Sequence, residues 1–435
     1  MINGIIELLK NNKKLHAWNV KSEFKDSYQL YFIKQNLEMN REVVVTEYSI
    51  TLFTRVVNKG KEKIGTSSFN VYPSMTLEEI SNQIDKHIEY CQLTLNQSFT
   101  MPKKVTIKPI VKEVGFDETS LKDAAFIAAD ALFEADKYDK GYINSAEIFI
   151  NHIETKYYDN NGNHFVYTKQ NGQIELVTTW VEKNEEIELY KFIEFDNLSN
   201  DYIRSQTNKL LLQAGNRIKA IKTPEISNCK LLLTGEYVKD YFLHFALKVR
   251  TDSIYSHSSD VTIGHDFHKK SNKADRITLK AEAVLKNSTK GAPYDNEGIA
   301  LRKLLLIDKG IVKNFWGSNA ISQYINKPVN GTYSNFVAAV GTLTKEELEE
   351  ENYVEIVQLS GFEVDLITGD FGSEIRLAYL YQKNKERQII TGGSVSGNIY
   401  DSIDTVRFSN ESEQNNNFIG PKTVLLDKVK FNSGE

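Results

Sequence analysis

Three histidines, His257, His265 and His268, crowd one stretch of the chain, with Asp260 and Asp266 between them. His265-Asp-Phe-His268 sets two imidazoles three residues apart, a spacing that one helical turn could direct at a metal ion. The neighbouring Ser256-His-Ser-Ser-Asp260 is polar and loop-like, so a solvated loop is the competing reading. Further along, Gly291-Ala-Pro-Tyr-Asp-Asn-Glu-Gly298, Thr368-Gly-Asp370 and Ser396-Gly-Asn398 each join a glycine to a carboxylate or an amide. Glycine admits positive φ and close approach of another chain, and Asp or Asn side chains bond to their own turn backbone. Asp295 and Glu297 could act as a general acid and base. With nothing in the sequence to fix their separation, a turn-bracing role for both is favoured. Three such turns in one C-terminal block point to a surface that holds something.

Nucleophilic and phosphate-binding chemistry finds little support. Gly393-Ser-Val-Ser-Gly397 has Val395 where a nucleophile elbow needs its serine, and no Gly-Lys-Ser/Thr follows Gly392-Gly393 as in a phosphate loop. Only Cys91 and Cys229 occur, which builds no disulfide framework and suits a reducing, cytoplasmic setting. Cys91 falls on the apolar face of an expected helix and reads as a packing thiol. His87, His152 and His164 read as structural or surface residues.

The elements that must position these groups suggest an α+β chain in three regions. At 435 residues it exceeds one ordinary core. Residues 1–100 form an α+β domain: a first helix in Met1–Lys10, β-branched and aromatic strands at Tyr31–Ile33, Glu42–Val45 and Ile50–Val57, then a capping box at Thr76-Leu-Glu-Glu79. Leu77, Ile80, Ile84, Ile88, Cys91 and Leu95 continue at helical spacing. Met101–Pro109 reads as a linker. Residues 101–222 form a middle domain of antiparallel strands and helices, with an alanine-rich helix from Ser120 and another near 200–220. Its hairpins turn at Asp159-Asn-Asn-Gly162 and again at Asn171-Gly172, since Asn-Gly between β-type runs is a strong hairpin signal. Thr223-Pro224 opens a large β-rich C-terminal domain, 223–435. It holds a buried strand at Lys230–Leu233, a helix through Val238, Phe242, Phe245 and Val249, and a loop at Glu411–Asn417.

The net charge is −5, and basic residues cluster only in small groups such as Lys13-Lys14 and Lys269-Lys270. A nucleic-acid binder normally presents a basic face, so direct nucleic-acid contact is not expected. Apolar runs such as Leu304–Ile307 are far short of a membrane span. The N-terminus has no basic leader and reads as a helix rather than a signal peptide.

Several motifs, in order, resemble the TldD/PmbA family, also called TldD/TldE or modulators of DNA gyrase. They are Gly291–Ile299, Asp308-Lys-Gly-Ile-Val312, Ser318-Asn-Ala-Ile-Ser322, Leu366-Ile-Thr-Gly-Asp-Phe371 and Gly393–Asn398. Leu52–Val57 followed by Lys63-Ile-Gly-Thr66 is similar to the family's N-terminal hairpin. One branch of the family carries His-Glu-x-x-x-His on a helix, with a downstream cysteine, and binds zinc for peptide hydrolysis. The PmbA/TldE branch lacks that motif and pairs with the first. Here the corresponding helix reads Leu243-His-Phe-Ala-Leu-Lys-Val249: His244 could fill the first ligand place, but Phe245 stands for the general base and Val249 for the second histidine. The strand Arg276–Ala283 offers no cysteine. Asn296, the glycine-poor Gly372–Ala378 and the region 330–341 depart from the family pattern and point to a divergent subgroup.

The resemblance implies a non-catalytic PmbA/TldE-like subunit of a cytoplasmic metalloprotease that acts on unfolded or peptide substrates and in peptide maturation. This chain would hold no cofactor. Zinc would reside in a TldD-like partner in a heterodimer, with a homodimer as the alternative. By motif, the residues carried over as substrate-binding are Asp295, Glu297, Gly298, Thr368, Gly369, Asp370, Gly397 and Asn398. Two other readings compete: a self-sufficient peptidase using His257, His265 and His268, and a binding or scaffold protein of the gyrase-modulator type.

Overall fold

Long strands that alternate buried and exposed side chains over part of their length build the dominant feature of the chain, a seven-stranded antiparallel sheet. A computed structural model describes residues 1–106, 116, 119–268 and 274–434. The Lys269-Lys270 pair and the 107–109 end of the expected linker lie outside the described residues. The strands are β1 (Ala17–Ile33), β2 (Asn36–Asn58), β3 (Lys61–Val71), β4 (Asn96–Gln97), β5 (Gly141–Asp159), β6 (His164–Glu182) and β7 (Glu185–Phe195). Their order is β4-β3-β2-β1-β5-β6-β7. β1, β2, β5 and β6 run 17, 23, 19 and 19 residues, against about five or six in an ordinary strand. β1 pairs with β2 on one side and β5 on the other, so strands from both sides of residue 100 belong to one sheet.

On that sheet the core divides in two. Trp18 and Val20 of β1 and Ile50 and Leu52 of β2 point to one face, where α1 (Ile2–Asn11) and α2 (Leu77–Cys91) cover them with Ile5, Leu9, Ile80, Ile84 and Ile88. The capping box of α2 is formed: the Glu79 N–H donates to Thr76 Oγ1 at 3.2 Å, and the Thr76 N–H to Glu79 Oε2 at 2.7 Å. Cys91 is buried, its thiol donating to the Leu52 carbonyl. Farther along the same face, α3 (Leu121–Phe133) and α4 (Asn200–Arg217) pack over Leu30, Ile148, Ile174 and Leu176. Ala124, Ala125, Ala128 and Ala129 are all buried, and small side chains let α3 lie close to its neighbours.

The Asn171-Gly172 turn does not form; β6 runs straight through it, Gly172 standing between Ile150 of β5 and Phe195 of β7. Asn171 is buried and accepts a hydrogen bond from Asn151 Nδ2 at 2.9 Å. The glycine makes room for a ring: a Cβ built on it would lie 2.1 Å from Phe195 Cζ. The actual hairpin turns at Lys183-Asn184, both with positive φ (53° and 65°), the conformation that matches strand twist. Gly172→Ala should therefore destabilise the chain by about 2–3 kcal/mol through overpacking. A urea midpoint equal to that of the unmodified protein would refute this account of Gly172.

Beyond Thr223 the core centres on α5 (Glu236–Lys248), whose Tyr241, Phe242, Phe245 and Ala246 are fully buried. They meet Leu231, Leu233, Val354 and Ile356 from a nine-stranded sheet and Leu279, Ala281 and Leu306 from a six-stranded one. α6 (Thr251–Tyr255) follows directly, and α7 (Asn319–Tyr324) lies beside it. The loop expected at 411–417 is instead a strand over Ser412–Asn415, paired with Phe418–Pro421 through a left-handed Asn416. The fold is α+β throughout.

Candidate functional site

The eight residues singled out by motif form two separate groups, and among the described residues no hydrogen bond joins one group to the other. The first lies where the C-terminal domain meets the long sheet. Asp295 is 7% exposed. Its Oδ1 accepts the N–H groups of Glu297 and Ile299, both at 2.9 Å. Its Oδ2 accepts the Thr332 N–H at 2.9 Å and hydroxyl at 3.0 Å. Burial pushes its carboxyl above the usual range, and these donors work against that rise. Every lone-pair direction of Asp295 is spent on bracing the turn.

Gly298 has φ +82°, and a Cβ there would lie 2.6 Å from the Tyr157 ring of β5. Tyr157 donates its hydroxyl to the Glu297 carbonyl at 2.8 Å, and Tyr294 packs against Tyr157 and Phe165. The turn thus plugs into the sheet. The Glu297 carboxylate accepts from the Asn319 N–H that opens α7, at 2.8 Å. Asn319 Nδ2 in turn reaches the Thr100 carbonyl. Burial drives the Glu297 carboxyl up to about 7, with Asp295 and Asp252 adding to the rise. The crevice it lines with Trp18, Phe53, Phe99 and Tyr157 measures about 10 Å³, room for about one water.

The second group sits over the end of α5. Asp365 Oδ1 accepts from the N–H groups of Ile367 and Thr368 and from the Thr368 hydroxyl. Asn398 Nδ2 bridges the Thr368 carbonyl and Asp370 Oδ1, each at 2.8 Å. Asp370 and Asn398, and Phe371 and Gly397, are cross-strand neighbours. Gly369, at φ +80°, lies against the ring of Tyr400, whose hydroxyl meets His244 Nε2 at 2.8 Å. His244 is 3% exposed, its Nδ1 lacks a partner, and burial, helped by Lys248, lowers its pKa to about 3. The imidazole is neutral at any physiological pH. Asp365 and Tyr400 escaped the sequence reading. The signal for Asp365 was its place three residues before Thr368, the spacing of an Asx turn. Tyr400 carried none, because its role depends on a contact across 156 residues.

The donor set at this end of α5 does not fit zinc. Phe245 and Val249 are both fully buried in the apolar core, and a zinc site needs about three N, S or O ligands. The other histidine set is not assembled either. His257 is exposed at a left-handed turn after α6. Residues 265–268 are not helical, because Asp266 is taken up by the guanidinium of Arg276 at 2.6 and 2.7 Å and by the His268 N–H. His268 is buried, its Nε2 accepting the Ile277 N–H. Among the described residues no three His, Cys, Asp or Glu side chains are grouped so as to hold a metal ion.

Residues 227–433 match the family described as the PmbA/TldA metallopeptidase C-terminal domain. By this match, residues 227–433 resemble the C-terminal domain of the PmbA/TldD family. Solved structures share its fold over nearly the whole length. A Thermotoga maritima protein described as a candidate modulator of a DNA gyrase superposes with a TM-score of 0.76 at 15% identity, covering 99% of this chain and 98% of its own. TldE from Thermococcus kodakarensis gives 0.73 at 14% identity, covering 100% and 99%. Among curated relatives, a metalloprotease of Methanocaldococcus jannaschii is 24% identical over 236 residues, 48% of this chain and 49% of the relative. A metalloprotease PmbA homologue of Buchnera aphidicola is 24% identical over 220 residues, 49% and 47% of the two chains. The chain thus spans about half the length of these curated relatives. The PmbA/TldD C-terminal domain contains both motif groups, and in it the Asp295 turn is a structural joint with the long sheet.

Proposed function

We propose that this chain is a non-catalytic, PmbA/TldE-like subunit of a TldD/TldE-type metalloprotease that acts on unfolded or peptide substrates. The observation that carries the reading is the helix α5: where hydrolysis would need a base and a second ligand, Phe245 and Val249 are core residues at 0% exposure. Converting them to Glu and His would bury charge in an apolar cluster, a change of several kcal/mol. The zinc belongs in this reading to a TldD-like partner, and the present chain closes the substrate chamber. Cytoplasmic residence accords with two buried, unpaired cysteines. No helix among the described residues is long and apolar enough to cross a membrane.

Cleavage of an unfolded polypeptide decides the matter. The chain alone should be inactive, and chelator should leave its urea midpoint unchanged. Mixed with a paralogue bearing His-Glu-x-x-x-His, it should support cleavage that chelator abolishes. Chelator-sensitive cleavage by the chain alone would overturn the proposal in favour of the 257–268 histidines.

A further inference from the structure

Residues 98–105 follow β4 as an irregular strap between the long sheet and the C-terminal domain. On one side α7 clasps it at Thr100. Gln323 Oε1 accepts the Thr100 N–H and hydroxyl, both at 2.9 Å, while Asn319 Nδ2 and Gln323 Nε2 donate to the Thr100 carbonyl. On the other side the β5–β6 turn holds it. Asn161 Nδ2 donates to the Pro102 carbonyl at 2.7 Å, and the Val105 N–H donates to Asn163 Oδ1 at 2.8 Å. Thr100, Lys103, Lys104 and Val105 are exposed, whereas Phe99, Met101 and Pro102 wall the crevice that holds Glu297. Among the described residues the strap backbone bonds only to side chains, with no helix or sheet ladder to hold it. It is therefore the wall of the crevice that moves at the smallest cost.

The crevice of about 10 Å³ behind the strap supplies a reason to move. There the Glu297 carboxylate accepts the N–H of Asn319, the residue whose side-chain amide holds Thr100. The titratable groups that face Glu297 are Asp295 of its own turn, Asp252 of α6, and Tyr157 and Asp159 of β5. β1, β2 and α7 line the crevice with Trp18, Asn19, Phe53 and Asn319, none of them charged. No cation is among these groups. An ionised carboxylate there has neither a counter-ion nor room for a hydration shell, which is a costly state.

We propose that the strap is a pH-sensitive latch, closed while Glu297 keeps its proton and lifted to admit water when the carboxyl ionises. A closed strap binds that proton more tightly than an open one, so rising pH favours opening. The joint between the long sheet and the C-terminal domain then loosens above neutral pH. This inference goes beyond the subunit reading and needs no partner chain.

Hydrogen exchange of the full chain tests the latch at the Thr100 and Val105 amides, which are donated to side chains on opposite sides of the strap. Corrected for the intrinsic pH dependence of exchange, their opening should increase about thirtyfold between pH 5.5 and 8.5, the change for a carboxyl that falls from about 7 to 4.5. Amides of the buried helix α5 should keep their protection over the same range. Glu297→Gln cannot ionise and still offers Asn319 an acceptor, so it should abolish the response and stay closed. Gln323→Ala, at the α7 clasp, should speed exchange of Val105 even at pH 5.5, although the partner of that amide, Asn163, is untouched. Exchange that does not change with pH, or an equal response in Glu297→Gln, overturns the latch. A matching rise in the α5 amides overturns it too, by assigning the effect to global unfolding.

Discussion

Asp295→Ala will lower the unfolding free energy by about 3–4 kcal/mol, one of the largest effects available to a single side chain here. Four donors, the N–H groups of Glu297, Ile299 and Thr332 and the Thr332 hydroxyl, lose their acceptor at once. The site is 7% exposed, so water replaces that acceptor poorly. The loosened turn also carries Tyr294 and the Glu297 carbonyl, its two attachments to β5. Urea unfolding measures the effect, with Asp370→Ala as the control. Asp370 is exposed, and its loss should cost less than about 1 kcal/mol. A substrate-contacting Asp295 would show the reverse, an unmoved midpoint with weakened peptide binding, and that outcome would restore the motif-based assignment.

Glu297→Gln should stabilise the protein above neutral pH and do nothing near pH 4.5. The folded carboxyl is raised to about 7, chiefly by burial, from 4.5 in the unfolded chain. Between those values the folded state keeps a proton that the unfolded state has released. Stability therefore falls as pH climbs through this window, by up to about 3 kcal/mol once both forms are ionised. Glutamine cannot ionise and its amide oxygen can still accept the Asn319 N–H. The variant should exceed the natural chain by about 2–3 kcal/mol at pH 8 and match it at pH 4.5. Urea midpoints across pH 4.5–8 read this directly. Parallel profiles for the two proteins would show that Glu297 is solvated and that its crevice is not the cause of any pH response.

Local sequence signals were reliable where the interaction they encode is local. The Thr76/Glu79 box, the helix from Ser120, the strands at Tyr31–Ile33, Glu42–Val45 and Ile50–Val57 and the helical spacing through Val238, Phe242 and Phe245 all formed, because each signal lies within a few residues. The same locality misled at Asn171-Gly172. The dipeptide satisfies a two-residue turn, but its glycine is required by the Phe195 ring, 23 residues onward and on another strand. At 265–268 the histidine spacing was right for a helical turn, and Asp266 was claimed instead by Arg276.

The sequence by itself determined the likeness to the PmbA/TldD family, the α+β class and the presence of Phe245 and Val249 where a base and a second histidine would stand, since these reside in residue identity and order. Only the tertiary structure decided what the glycine-bearing turns do. Asp295, Glu297 and Gly298 were chosen as surface groups, and folding brings Tyr157 and Thr332 against them, which turns a polar turn into a buried joint. The opposition of Glu23 and Glu47 was invisible for the same reason: side chains 24 positions apart face each other only through strand register, and register is fixed by which face of the sheet must be buried.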